Sequence, residues 1–100
     1  MRLHPAERKQ QILTAALTVA ARPGGLSKLT RATVAAEAAC SDAAVSQYFG
    51  TMAEFKRTIM RAAIKAEILP IIAQGVASGD KTVLKASPYL RGRAIATLTA

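Results

Sequence analysis

Residues 29–55, LTRATVAAEAACSDAAVSQYFGTMAEF, decide the fold. Thr30 has the side chain of a helix N-cap, and Val34, Ala35 and Ala38 follow at the steps of one buried stripe, which predicts a short helix over 31–38. Ser41 is a second cap only eleven residues later. Ala38-Ala39-Cys40 between them leaves room for a turn and no further element. A second short helix over 42–48 has Ala44, Val45 and Tyr48 at three- and four-residue spacing, and Gly50 ends it. Thr51 with Glu54 fits a capping box, so a longer helix starts at Met52.

Upstream, Pro5 suits a first helical position, Ile12, Leu13, Ala16, Leu17, Val19 and Ala20 form one stripe, and Pro23-Gly24-Gly25 stops that helix. Downstream, the helix from Met52 carries Phe55, Ile59, Ala62, Ala63 and Ala66 on one face and Lys56, Arg57, Arg61 and Lys65 on the others. From Ile68 to Ile72 apolar residues run all the way round, interrupted by Pro70, which kinks the helix or starts another. Gly79-Asp80 is a break before a short turn with Val83 and Leu84, and Ser87-Pro88 opens a last helix with Leu90, Ala94, Ile95 and Leu98. No repeat and no useful strand alternation occurs, so the fold class is all-α.

Composition narrows the function. The 100 residues carry 14 basic and 6 acidic groups, a net charge of +8 that suggests an anionic partner such as nucleic acid. Alanine supplies 22 residues and aromatics only four, which favours closely packed helices and limits the core one chain can build. Self-association is therefore expected. One cysteine, Cys40, excludes a disulfide framework within the chain and reads as a small core residue. No apolar run reaches the roughly 18 residues of a membrane span and no signal-peptide pattern opens the chain, so a soluble, cytoplasmic protein is expected. There is no nucleophile paired with a histidine, no metal-ligand spacing and no phosphate-binding glycine loop, so neither an enzyme, a metal site nor a cofactor is expected.

Two short capped helices joined by a tight turn and braced by a longer helix form a helix-turn-helix. The second must enter a major groove about 12 Å wide, so its outer face needs small or polar groups, here Asp42, Ala43, Ser46 and Gln47. Thr30 and Ser41 leave amide donors near helix N-termini, where phosphates bind. Gln47 stands out because its amide matches adenine bidentately. Arg2, Arg8 and Lys9 read equally as a phosphate-contacting arm or as a solvated terminus.

Leu29-Thr30, Val34-Ala35, Ala38, Ser41, Val45, Tyr48-Phe49 and Glu54-Phe55, with Arg8, Ile12-Leu13 and Ala15-Ala16, resemble the N-terminal DNA-binding domain of TetR-type transcriptional repressors over residues 6–66. The resemblance implies a homodimer on an inverted-repeat operator in double-stranded DNA. It implies that Thr30 and Tyr48 contact phosphates and that Asp42, Ala43, Ala44, Ser46 and Gln47 lie at or near base edges. Three positions depart from that pattern: Ala39 replaces a usual turn glycine, Ser46 a common tyrosine, and Met52 a phosphate-binding lysine. Lys56 or Arg57, one turn on, substitutes for the missing lysine.

The division expected is a helix-turn-helix domain over 1–66 and a short helical dimerisation segment over 67–100. About 35 residues after the fourth helix suit a dimer interface better than a ligand pocket of ~300 Å³ or more, so a repressor without a small-molecule inducer is expected, of a kind suited to a plasmid or phage. Ile68, Leu69, Ile72 and Val76, with Leu90, Ile95 and Leu98, are its interface candidates. The competing reading is a helical protein-interaction module, antitoxin-like or a co-regulator, that uses residues 68–98. Charge-driven binding without sequence preference is a third, and a co-repressor protein is kept among the partners.

Overall fold

Side-chain caps set most helix starts in the computed structural model, which describes residues 4–99. Helix α1 (Pro5–Ala21) begins where His4 Nδ1 accepts from the Ala6 N–H at 3.2 Å. Helix α2 (Arg31–Ala38) begins with a reciprocal box: Thr30 Oγ1 accepts from the Thr33 N–H at 3.1 Å, and Thr33 Oγ1 from the Thr30 N–H at 3.0 Å. Ser41 caps α3 (Asp42–Phe49) through the Ala44 N–H, and Thr51 caps α4 (Met52–Lys65) through the Glu54 N–H. The Thr51–Glu54 box is thus only half made. Gly50 adopts φ 75°, a conformation that favours glycine at this corner.

Pro70 belongs to a new helix. The chain leaves α4 at Ala66, which is exposed rather than on the buried face, turns through Glu67 at φ 53°, and restarts as α5 (Leu69–Ser78). Asp80 caps the single turn α6 (Lys81–Leu84), and the Ser87 hydroxyl accepts from Leu90 N–H at the start of α7 (Pro88–Thr99). Among the described residues there is no strand, and the architecture is all-α.

One continuous core runs through the chain. Ile12, Ala16 and Val19 of α1 join Val34 of α2, Val45 and Phe49 of α3, and Phe55, Ile59 and Met60 of α4. Ile71, Ile72 and Ala73 of α5, Val83 of α6, and Leu90 and Ala94 of α7 complete the same cluster. The later helices share the core of the earlier ones across the boundary expected at residue 66. Two interface candidates lie inside that core. Ile72 has no exposed surface and Leu90 only 8 %, because the chain's own helices already cover them. Ile68, Leu69 and Val76 are half-buried against the same core, whereas Ile95 and Leu98 remain exposed.

Two features fix how the halves meet. Gly75 lets α5 approach its neighbours, since a Cβ there would lie 2.5 Å from Met60 Cε and 2.7 Å from Val83 Cγ2. Gln74 clips α5 to the segment that leads into α2: its Oε1 accepts from the Leu26 N–H at 2.8 Å, and its Nε2 donates to the Ala20 carbonyl at 2.7 Å.

Candidate nucleic-acid interface

Helix α3 is anchored from inside and open outside. Val45 and Phe49 are buried, and the Phe49 ring stacks on Phe55 of α4 with centroids 4.6 Å apart, which ties the two helices across the Gly50 corner. At its other end, Ala39 takes left-handed dihedrals (φ 55°, ψ 46°), and the Cys40 N–H donates back to the Ala35 carbonyl at 3.0 Å. This is the helix-terminating geometry that glycine normally supplies, here built with alanine. Cys40 itself is half-buried against the core.

Against that scaffold Asp42, Ala43 and Gln47 are exposed and Ser46 is half-exposed. Ala44 and Tyr48 pack partly on the core, so Ala44 has less surface to offer a base than its neighbours. An open groove of about 570 Å³ runs between the start of α2, the outer face of α3 and the first turns of α4. Its lining brings together five of the expected residues, Thr30, Asp42, Ala43, Ser46 and Lys56, with Met52 beside them. Ser41, Gln47, Tyr48 and Arg57 lie outside that lining. The Thr30 and Ser41 hydroxyls both accept from backbone N–H groups at their helix starts, and both residues are exposed.

The groove also contains a residue that sequence reasoning passed over. Arg31, the first residue of α2, lines it, and its Nε is out of contact with solvent without a hydrogen-bond partner. A buried donor left unpaired costs about 1–3 kcal/mol. No ion pair relieves it: among the described residues the ion pairs are Arg22–Glu37 and Arg93–Glu67, neither in the groove. The signal available in the sequence was a cation at a helix N-terminus, where the helix dipole disfavours positive charge.

The basic residues of α1 are engaged within the chain. Arg8 donates to the Gln11 side chain at 3.0 Å, and Lys9 sits 5.6 Å above the Phe49 ring. Arg2 lies outside the described residues. Elsewhere among the described residues, Leu84, Tyr89, Ile95 and Leu98 are the large apolar side chains left exposed, with Leu98 at 60 %. Among the described residues no helix is long and apolar enough to cross a membrane. Comparison with protein-family models, with curated proteins and with solved structures gives no match.

Proposed function

We propose that the chain is a sequence-specific DNA-binding transcriptional repressor of the TetR type, acting as a homodimer on an inverted-repeat operator. The observation that carries this reading is the two-sidedness of α3. Its inner face is locked by Val45 and Phe49, while Asp42, Ala43 and Gln47 stand exposed on a helix of eight residues. At about 1.5 Å per residue such a helix is about as long as the major groove is wide. Gln47 pairs with adenine, Ala43 meets a thymine methyl, and Asp42 accepts from cytosine or supports the helix dipole. Thr30, Ser41, Tyr48 and Lys56 hold the backbone and fix the register. Two copies place their α3 helices in successive major grooves, about 34 Å apart, and occupancy of a promoter excludes polymerase.

Exposed Ile95 and Leu98, one turn apart on α7, supply the surface for the second copy. The same pair supports the second reading, a protein-interaction module whose partner is a different polypeptide. Selection of bound duplexes from a random library at near-physiological salt separates the readings. Enrichment of an inverted repeat supports the dimeric repressor. Binding without enrichment points to charge alone, and absence of binding favours the interaction module.

A further inference from the structure

We propose that Arg31 and Lys56 together grip one phosphate of the DNA backbone, Arg31 making the contact bidentate. The inference rests on the DNA-binding reading and names the group that anchors it. Both side chains line the groove between the start of α2 and α4, with the Thr30 and Ser46 hydroxyls in the same lining. Met52, which also lines it, has no donor to offer, so the cations carry the binding. Asp42 is the one carboxylate of that lining and forms no ion pair with either cation, which leaves two positive charges against one negative.

Arg31 is also in the wrong place for local stability. As the first residue of α2 it opposes the helix dipole, and its Nε is withdrawn from solvent without a partner. Departures of this kind from local rules concentrate at functional sites. A guanidinium seated against the protein presents a planar fork that matches two phosphate oxygens, whereas the Lys56 ammonium acts as a point charge. The two cations come from the helices flanking α3 rather than from α3 itself. Flanking elements meet the sugar–phosphate backbone, not base edges.

The test measures binding of the full chain to a fluorescent duplex recovered from the library selection, by anisotropy, across a salt series. Arg31→Ala should weaken binding about tenfold or more, alike on every duplex, as expected for loss of a charged hydrogen-bonded contact. The slope of log affinity against log salt should fall by about one per subunit. Arg31→Lys should restore the slope without the full affinity, because it returns the charge and not the fork. Arg31→Ala combined with Lys56→Ala should lose less than the sum of the two, since both hold one phosphate. A folded Arg31→Ala with the wild-type slope, checked by circular dichroism, overturns the proposal while leaving the DNA reading intact. So does a loss confined to particular sequences, which would make Arg31 a base-reading residue. Failure of the wild type to bind any duplex at low salt sinks the DNA reading and this proposal with it.

Discussion

Replacing Ala39 by glycine should stabilise the protein. Ala39 holds φ 55° and ψ 46° at the end of α2, a region that costs a residue with a Cβ roughly 1–2 kcal/mol. Glycine escapes that cost but loses roughly 0.5–1 kcal/mol more conformational freedom on folding. The Ala39 side chain is exposed, so its removal leaves no cavity in the core. The balance is a gain of about 0.5–1 kcal/mol, or about 2–8 °C in Tm for a chain of this size. The internal control lies three residues upstream. Ala36 is exposed within α2, and glycine there should cost about 1 kcal/mol from helix propensity alone. One chemical change, made at two neighbouring exposed alanines, should therefore move stability in opposite directions. Thermal and urea unfolding followed by circular dichroism reads both, with an unchanged urea slope showing that the unfolded states are comparable. Equal destabilisation by the two substitutions would refute the left-handed turn, and with it the account of how α3 is aimed.

Other changes probe the interface and the core. Gln47→Ala should cost about 1–3 kcal/mol in binding and relax preference at one base pair per half-site; an operator profile identical to wild type would remove Gln47 from base reading. Gln74→Leu leaves the Leu26 N–H without its acceptor and should lower stability by about 1–3 kcal/mol, measured by urea denaturation. Ile72→Asp buries an unpaired carboxylate in the core and should unfold the chain, whereas Leu98→Asp should leave the fold intact by circular dichroism and abolish the proposed self-association in sedimentation. A wild-type chain that sediments as a monomer at every concentration would dispose of the Leu98 surface.

Much of the architecture was written in caps. Thr30, Ser41, Thr51 and Asp80 each mark a helix start because a short side-chain oxygen satisfies an amide that the helix cannot. The break after α4 was harder to see. Glu67 turns the chain in the left-handed region without a glycine to announce it, and Pro70 alone is compatible with a kink or a restart. That this chain's own helices cover Ile72 and Leu90 was hidden for a different reason. A segment apolar on every side shows that it is covered, but not whether the cover comes from the same chain or from another. Arg31 escaped notice because a single cation after a cap looks like solvated surface until its neighbours across the groove are known.

The segment from Arg22 to Leu29 contains Pro23, Gly24 and Gly25 and lacks an α-helix, the composition of a soft connector. The Gln74 side chain changes its dynamics. With Leu26 N–H ending on Gln74 Oε1, and Gln74 Nε2 donating to carbonyls of Ala20, Arg22 and Pro70, this stretch cannot swing without α5 letting go. In hydrogen exchange, the Leu26 amide should therefore be lost to deuterium in step with the buried amides of α5, slower than a connector of this composition otherwise allows. The path from α1 to the first turn of α2 should thus open as one cooperative unit with a helix nearly fifty residues further along the chain.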